Sequence, residues 1–133
     1  MENTIATYDL LIREHHLDFY GHVNNATYLQ IYEEARWEFI SANGYDLEKI
    51  KSTGKGPIVL ELKLRFLKEL LLREKITIHT QTVEYTSRVG TIKQWITNSK
   101  GELCSDLELK IGLFDTRTRK LVQPTEAWMK ALQ

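Results

Sequence analysis

Cysteine is nearly absent from this chain of 133 residues, in which Cys104 stands alone. A single cysteine cannot form a disulfide within the chain, and it cannot build a zinc site from several thiolate ligands. Because structural disulfides belong to oxidising compartments, their absence favours the reducing cytosol. We therefore expect a cytoplasmic protein without a disulfide framework.

Net charge is also lacking, since 18 Lys and Arg residues balance 18 Asp and Glu residues. Nucleic acids and anionic membranes attract proteins through clustered basic side chains. The balance argues against either of them as the main partner, although a local basic pocket for a small acidic ligand is compatible with it. We expect no nucleic-acid partner and no membrane partner.

Long apolar segments are missing as well. No uninterrupted apolar stretch approaches the roughly 20 residues that a membrane-spanning helix needs. Residues 1–6 lack the basic and apolar regions of a secretory signal peptide. We expect neither a membrane span nor a leader.

The chain does have enough apolar surface to fold. Hydrophobic residues make up 42% of it, with three Trp, six Tyr and four Phe, and this content excludes general disorder. A chain of this length buries roughly two thirds of its unfolded surface, so its core needs no disulfide or metal. No linker, internal repeat or low-complexity segment interrupts it, and residues 1–133 are expected to form one domain.

The hydrophobic pattern changes its period near the N-terminus. Residues 6–13 alternate with a period of two and predict a strand, while residues 14–25 predict a loop. A helical apolar stripe then covers residues 28–39, and an Asn-Gly pair at residues 43–44 ends it. Asparagines at the start of this helix are well suited to cap its exposed amide groups.

Two charged residues lie on the flank of the predicted helix. Glu33 and Arg36 are three positions apart, which allows their side chains to meet on a helix surface. We expect a helix ion pair from them rather than a catalytic pair.

Period-two patterns return after a polar connection at residues 49–55. Four further strands are predicted, at residues 58–66, 74–84, 91–98 and 103–115, and then a short helix at residues 124–132. Short turns between strands make neighbours antiparallel, and one long helix is left to cover the sheet. The predicted fold class is α+β, a curved antiparallel sheet wrapped around a long central helix.

The loop before the long helix concentrates groups that can carry out chemistry. It contains Asp18, His22 and a pair of asparagines, next to a helix start that presents unpaired N–H groups and about half a positive charge. A developing oxyanion could be stabilised there while Asp18 attacks a carbonyl or deprotonates water. The alternative is that Asp18 only binds local amide groups in a turn.

Residues 18–36, DFYGHVNNATYLQIYEEAR, resemble the signature of hotdog-fold acyl-CoA thioesterases of the 4-hydroxybenzoyl-CoA thioesterase type. In that family an Asp, a Gly three residues later and often His-Val-Asn-Asn precede the central helix. Residues 57–76 and 120–132 are similar to the family as well, including Pro124 and Trp128. The resemblance implies a hotdog fold and hydrolysis of an acyl-CoA substrate to free acid and coenzyme A.

Three catalytic roles follow from this resemblance. Asp18 stands in the place of the family's carboxylate, as a nucleophile that forms a mixed anhydride or as the base for water. The backbone N–H of Asn25 stands where the family polarises the thioester carbonyl. His22 occupies the position of a catalytic His in related plant acyl-carrier-protein thioesterases, where it would orient or activate water.

Substrate contacts are expected from the helix and from one turn. Tyr28 and Tyr32 belong to the apolar stripe, one or two of whose residues are expected to line the acyl pocket. The turn that holds Arg88, Gly90 and Thr91 corresponds to one that approaches the phosphates of coenzyme A in relatives. Its alternative interpretation is an ordinary hairpin turn.

Three residues depart from the family pattern. His16 replaces a second Asp found in many relatives, and Glu69 replaces the usual proline after the long strand; neither change removes the proposed carboxylate. Tyr20 replaces an Asn of the plant enzymes, so the resemblance does not imply an identical mechanism.

Other functions stay open from the sequence. The match at His22 fits an acyl-carrier-protein thioesterase, although no basic docking patch stands out. A non-catalytic acyl-CoA-binding module is a further alternative, but it has no need of the Asp18 carboxylate. No metal or other cofactor is expected, because the histidines lack a familiar zinc spacing such as His-Glu-x-x-His.

The resemblance also implies self-association. A single hotdog copy exposes one sheet face and leaves its cleft open, and hotdog proteins solve this by pairing. We therefore expect a homodimer or homotetramer with active sites at the subunit junction.

Overall fold

The alternating residues near the N-terminus form β1 (Ala6–Leu11), and the computed structural model describes residues 4–133. Residues 1–3, which begin the segment expected to lack a leader, lie outside the described residues. The loop after β1 contains a short 3-10 turn at Glu14–His16. The remaining elements in chain order are α1 (Asn25–Ala42), α2 (Leu47–Thr53), β2 (Lys55–Phe66), β3 (Lys75–Thr86), β4 (Val89–Thr97), β5 (Leu103–Asp115), β6 (Lys120–Val122) and α3 (Glu126–Ala131).

The strands of residues 4–133 form one antiparallel sheet in the order β1-β3-β4-β5-β2, with β6 paired to the end of β5. A two-residue turn at Ser87 and Arg88 joins β3 to β4, and a tight turn of this kind requires antiparallel neighbours. The two edges differ, because β1 has six residues and β2 has twelve. The predicted α+β class, a curved antiparallel sheet around a central helix, is confirmed.

The long helix α1 lies against the inner face of the sheet and supplies one side of the core. Its buried side chains follow the helical period: Tyr28, Ile31, Tyr32, Ala35, Arg36, Phe39 and Ile40. Inward residues of the central strands, such as Ile78, Ile92 and Leu109, form the other side. Burying each large apolar side chain stabilises the fold by about 1.5–3 kcal/mol. None of the helices between residues 4 and 133 is long and apolar enough to cross a membrane.

The connection between α1 and β2 differs from the sequence prediction. Residues 49–55 were expected to be a polar connection, but they contain most of α2 and the first residue of β2. Asp46 caps α2 by accepting a hydrogen bond from the Lys49 N–H at 3.0 Å, and Gly54 ends it at φ 71°. α2 has only seven residues, and Ile50 is the one that packs against the core. So short a helix shows too little hydrophobic periodicity to be predicted from the sequence.

Register shifts interrupt several of the predicted strand faces. The pairing of β2 with β5 shifts between Val59 and Glu61, and the bulge at Leu60 reverses the alternation that the sequence suggested. A second shift, where β4 meets β5, places Leu103 outside the core, where it is 45% exposed. The alternation of residues 103–115 predicts that Leu103 and Leu107 share a face, and this prediction is wrong because of the shift. The three-residue β6 was also missed, because it is too short to show a period.

The expected ion pair between Glu33 and Arg36 does not form. Arg36 is buried and turned toward the sheet, where its guanidinium contacts Gln94. The ion pairs found within residues 4–133 involve other side chains. Burial lowers the pKa of Arg36. A tertiary contact has replaced the local helical one, which sequence spacing alone could not reveal.

Candidate active site

The loop between β1 and α1 folds Asp18 and His22 into one tight turn beside the start of the helix. Leu17 and Val23 form an isolated antiparallel bridge at the base of this turn. Above the bridge, the N–H of Asp18 donates to the carbonyl of His22 at 2.8 Å. The backbone therefore fixes the distance between the two proposed catalytic residues.

The Asp18 carboxylate itself organises the turn. Its Oδ1 accepts hydrogen bonds from the backbone N–H groups of Tyr20, at 2.9 Å, and His22, at 3.2 Å. Gly21 supplies the positive φ, 76°, that the tip requires. The turn-forming role that the sequence left open for Asp18 is thus present in the structure. Within residues 4–133 no hydrogen bond is made to Oδ2, so one carboxylate oxygen stays available.

The start of α1 leaves a backbone donor free beside this turn. Asn24 caps the helix, as expected, by accepting a hydrogen bond from the Ala26 N–H at 2.9 Å. Asn25 is the first helical residue, and no group in the described part of the chain accepts a hydrogen bond from its backbone N–H. An unpaired N–H at a helix start carries partial positive charge and is a ready donor to an anionic oxygen.

A cavity of about 330 Å³ opens at this helix start. It is bounded by the end of the turn, the first turn of α1 and the segment that follows β2. Its walls are formed by His22, Val23, Asn25, Tyr28, Phe66, Leu67, Lys68 and Glu69. Three sequence-predicted site residues, His22, Asn25 and Tyr28, therefore come together. Asp18 is not part of the cavity wall, and it adjoins the cavity through the backbone of His22.

Tyr28 forms an aromatic wall of the cavity with Phe66. Their rings meet edge to face with centroids 4.9 Å apart, a favoured aromatic geometry. Burial raises the pKa of Tyr28 to about 12, with further contributions from Cys104 and Glu69. The phenol therefore stays protonated at physiological pH and can serve as a neutral hydrogen-bond donor.

Tyr32 lies in the core rather than in the cavity. Its hydroxyl donates to Ser105 Oγ at 2.8 Å, and Ser105 Oγ in turn donates to the Arg65 carbonyl at 2.8 Å. Burial raises the pKa of Tyr32. The structure therefore does not bring Tyr32 to the substrate position expected from the sequence, because this chain of hydrogen bonds uses it to join α1 to β5 and β2.

The turn that holds Arg88 lies at the opposite end of the sheet from Asp18. β3 starts beside the end of β1, close to the Asp18 loop, and reaches this turn after roughly 35 Å of strand. Arg88, Gly90 and Thr91 are therefore not brought to the cavity of their own chain.

Gly90 and Thr91 have packing roles of their own. A Cβ atom on Gly90 would lie 2.5 Å from the ring of Tyr85, whose hydroxyl accepts a hydrogen bond from Trp128 Nε1 at 3.1 Å. Thr91 Oγ1 accepts from Lys110 Nζ at 2.7 Å on the outer sheet face. Glycine is needed at position 90 because the tyrosine ring lies directly over the backbone there.

The adjacent His15 and His16 contribute to the loop but not to the cavity wall. His16 Nδ1 accepts a hydrogen bond from the Arg13 N–H at 2.8 Å. Burial lowers the pKa of His16, and the neighbouring His15 lowers it further. In the described part of the chain, no three or more His, Cys, Asp or Glu side chains are grouped so as to hold a metal ion.

Glu69 is the site residue that the sequence analysis missed. Its Oε2 lies 3.1 Å from His22 Nε2, although the two residues are far apart along the chain. The only sequence signal was the replacement of the family's usual proline, and a replacement alone does not reveal a neighbour. The contact depends on how the segment after β2 packs beside the helix start.

The sequence model of the thioesterase-like superfamily matches residues 12–132. This match covers the Asp18 turn, the central helix and nearly all of the sheet. The chain belongs to the thioesterase-like superfamily. Membership in this superfamily confirms the resemblance drawn from residues 18–36 and the expectation of a thioester hydrolase.

Two curated proteins are similar to this chain in sequence. The long-chain acyl-CoA thioesterase FadM of Escherichia coli (strain K12) is 29% identical over 110 residues, which are 82% of this chain and 83% of FadM. The chloroplastic acyl-acyl carrier protein thioesterase ATL3 of Arabidopsis thaliana is 30% identical over 70 residues, which are 53% of this chain and 37% of ATL3.

The fold is shared with solved structures. The protein SAV2348 from Staphylococcus aureus, described as hypothetical and solved in complex with CoA, superposes with a TM-score of 0.91 at 20% identity. The superposition covers 98% of this chain and 83% of SAV2348. At this identity the likeness shows the hotdog fold.

Proposed function

We propose that this superfamily member hydrolyses an acyl-CoA thioester to a free acid and coenzyme A. The observation that carries the proposal is the N–H of Asn25, which has no hydrogen-bond acceptor among residues 4–133 and borders the same cavity as His22. When the carbonyl carbon of a thioester is attacked, its oxygen gains negative charge. The free N–H and the positive end of α1 stabilise that charge without reorganisation.

Asp18 acts in this proposal as the nucleophile or as the general base. In the first route Oδ2 attacks the acyl carbon, the C–S bond breaks, and water later cleaves the mixed anhydride. In the second route the carboxylate accepts a proton from water as the water oxygen attacks. Both routes are supported by the anchored Oδ1, because its bonds to Tyr20 and His22 fix the direction of the carboxylate.

Coenzyme A is the carrier that we favour. FadM is named for acyl-CoA, and SAV2348 was solved with CoA. An acyl-carrier-protein thioester is the second candidate, favoured by the likeness to ATL3 over about half of this chain. A non-catalytic acyl-CoA-binding module is the third, and the anchored Asp18 carboxylate argues against it, since binding alone does not require such a group.

A homodimer formed along β2 is part of the proposal. β2 is an edge strand of twelve residues, and its Leu62 and Phe66 are 41% and 54% exposed. The neighbouring flank of α1 exposes Leu29 and Trp37. A long free edge with apolar side chains beside it is typical of a protein interface. Pairing of two such dimers would give the tetramer.

The dimer would also give the distant turn a function. Two β2 strands related by a twofold axis run antiparallel, so the Phe66 end of one meets the Lys55 end of the other. The Lys55 end belongs to the same end of the sheet as the β3–β4 turn, because Gly90 and Val59 lie in one cross-strand row. The partner's Arg88 would thereby approach the cavity and meet the phosphates of coenzyme A.

The proposal is tested by thiol release from a panel of thioesters. Purified protein is given short-chain, long-chain and aromatic acyl-CoA substrates, together with the same acyl groups on acyl carrier protein. We expect faster release from at least one acyl-CoA than from its carrier-protein counterpart. Faster release from the carrier protein would favour the second candidate, and no release from any thioester would contradict the enzymatic proposal. One domain over residues 1–133, the cytoplasmic location and the oligomeric state stay predictions.

A further inference from the structure

An acid–imidazole pair lies in the wall of the helix-start cavity. Glu69 Oε2 is 3.1 Å from His22 Nε2, and both residues line the cavity with Asn25. The side chain of His22 is 56% exposed and that of Glu69 is 55% exposed. A pair this exposed contributes little to stability, so its position in the cavity suggests a role in the chemistry instead.

The rest of His22 is held from the opposite side. Its backbone N–H donates to Asp18 Oδ1 at 3.2 Å, and its carbonyl accepts from the Asp18 N–H at 2.8 Å. Within residues 4–133 nothing is hydrogen bonded to Nδ1 of the imidazole. The backbone of His22 is therefore fixed by Asp18, one ring nitrogen faces Glu69, and the other ring nitrogen is free.

A carboxylate beside one ring nitrogen decides where the proton of a neutral imidazole lies. The proton stays on the nitrogen next to the carboxylate, and the other nitrogen keeps its lone pair. Here the proton belongs on Nε2 and the lone pair on Nδ1. Without Glu69, the neutral ring would divide between its two tautomers, and only one of them could accept a proton at Nδ1.

We propose that Glu69 is a positioning residue that holds His22 in the Nε2–H tautomer, so that Nδ1 accepts a proton from the hydrolytic water. This inference rests on the proposed thioesterase function and names a further part of its site. Glu69 does not touch the reacting atoms, and it acts only through His22.

The step balances in the anhydride route and in direct hydrolysis, where Nδ1 takes the water proton in place of Asp18. The water oxygen bonds to the acyl carbon while a water proton passes to Nδ1. In direct hydrolysis the C–S bond breaks, its electron pair stays on sulfur, and the Nδ1 proton goes to the thiolate. In the anhydride route the bond from the acyl carbon to the Asp18 oxygen breaks, the carboxylate is restored, and the proton goes to solvent.

The other charged groups near His22 do not replace Glu69 in this role. Lys68 also lines the cavity, but its ammonium group is paired with Glu102. The Asp18 carboxylate is bound through Oδ1 to backbone amides, including that of His22 itself. Among the described residues, Glu69 is the carboxylate that contacts the His22 ring.

A second exposed ion pair provides a matched control. Glu14 and Arg73 join the same two segments, the loop after β1 and the segment after β2, with Oε2 and Nη2 2.9 Å apart. This pair does not include a residue of the cavity wall. If Glu69 only fastened the two segments together, Glu14→Gln should have the same consequences as a change at position 69.

The experiment compares the Glu69→Leu, Glu69→Gln and Glu14→Gln variants with the wild type. Imidazole ¹⁵N NMR at about pH 8, where an ordinary histidine is neutral, reports the tautomer, and His22→Gln assigns the signal. We expect Nε2–H in the wild type and in Glu14→Gln, and a mixture in Glu69→Leu. We expect kcat/KM to fall about tenfold in Glu69→Leu, a small part of what a general base contributes. Glu69→Gln retains an acceptor oxygen and should be intermediate in both measurements.

Two results would overturn the inference. One is an unchanged His22 tautomer in Glu69→Leu. The other is a loss of kcat/KM in Glu14→Gln as large as that in Glu69→Leu, which would mean that Glu69 only joins the two segments. The NMR measurement needs no substrate. A wild-type chain that hydrolysed no thioester would therefore contradict the proposed function, while the tautomer result would still decide whether Glu69 controls the His22 ring.

Discussion

Arg36 Nη1 donates a hydrogen bond to Gln94 Oε1 at 3.0 Å, and both side chains are buried between α1 and the sheet. Gln94 uses its Nε2 to donate to the carbonyl of Tyr32, at 3.1 Å, and to Thr80 Oγ1, at 3.0 Å. One neutral amide therefore connects the charged guanidinium, the helix backbone and strand β3. Such a buried network stabilises one arrangement of the helix on the sheet, provided that its members keep their partners.

Replacing Gln94 by leucine should destabilise the protein strongly. The variant leaves the buried Arg36 guanidinium without its acceptor, and a loss of this kind costs about 2–4 kcal/mol. Urea unfolding monitored by circular dichroism measures the free energy difference. Lys93→Gln, on the outer face of the same strand, serves as the control and should change little.

The double variant Gln94→Leu with Arg36→Met refines this prediction. Removing both polar partners together removes the unpaired charge, so the double variant should lose less stability than the sum of the two single variants. If the losses of unfolding free energy in the two single variants added up to the loss in the double variant, Arg36 and Gln94 would not stabilise each other.

Asp18→Asn should abolish most of the activity while leaving the fold intact. The amide Oδ1 can still accept the backbone hydrogen bonds of Tyr20 and His22, but the side chain can neither attack a carbonyl nor accept a proton. We expect kcat to fall by about 10²–10⁴ with an unchanged unfolding midpoint. Asp18→Ala should lose the activity and also loosen the turn. Full activity in Asp18→Asn would reject the catalytic assignment.

Gly90→Ala tests whether packing against the Tyr85 ring requires glycine at position 90. The new Cβ would overlap the Tyr85 ring, and the forced shift should destabilise the protein by about 1–3 kcal/mol. In a Tyr85→Ala background the same change should cost much less, because the ring is gone. Thermal unfolding of the four proteins gives the comparison. A similar cost in both backgrounds would show that the ring is not the obstacle.

The pH dependence of stability should reveal two partly buried histidines, His16 and His79. Burial lowers the pKa of His16 and His79 below 6.5 in the folded protein, so the unfolded chain binds protons first as the pH falls. Their contribution to stability is complete above pH 6.5 or so and is lost progressively below it. Protonation of His16 also breaks the hydrogen bond that Nδ1 accepts from the Arg13 N–H, because a protonated Nδ1 has no lone pair.

Urea unfolding between about pH 8 and pH 5.5, the range around an ordinary histidine pKa, measures this effect. His16→Gln should show a smaller loss of stability across the range than the wild type. The neighbouring variant His15→Gln should have a slope between those of the wild type and His16→Gln, because it removes the contribution of His15 to the lowered pKa of His16 but leaves the effect of burial. Identical slopes in the wild type and in His16→Gln would contradict the assignment.

A mixed dimer tests whether Asp18 and Arg88 act from different subunits. Arg88→Ala alone should lower kcat/KM about tenfold, the value of one lost charged contact. An Asp18→Asn chain and an Arg88→Ala chain are then produced together with two affinity tags, and the heterodimer is isolated. If the partner's Arg88 completes each site, one of the two sites is intact, and the heterodimer should recover about half of the wild-type activity.

The opposite arrangement gives a different result. If Asp18 and Arg88 of one chain served the same site, each site of the heterodimer would carry one lesion, and its activity would stay low. A mass of one chain in gel filtration would contradict the dimer itself.

The sequence predicted those features that depend on neighbouring residues. The apolar stripe of α1, its cap at Asn24 and its end at Asn43 are local, because side chains three or four positions apart decide them. The position of Asp18 before the helix start is local in the same sense. The resemblance added the hotdog arrangement and the family chemistry, but not the neighbours of each side chain.

Two of the predictions that failed involve partners far apart in the chain. Arg36 binds Gln94 rather than Glu33, and Leu103 is exposed by a register shift. Local spacing cannot forecast either outcome, because both depend on which residues of other strands lie opposite. The separation of Arg88 from Asp18 has the same cause, since the length of β3 places them at opposite ends of the sheet.

The sequence by itself therefore determined the five longer strands, the capped helix α1 and the acidic turn before it, because these rest on contacts within a few residues. Only the tertiary structure decided that Glu69 reaches His22, that Tyr32 is a core residue and that Arg88 is distant from the cavity of its own chain. Those relationships depend on strand register and on the packing of loops, and a register shift of one residue changes the face on which every side chain of a strand lies.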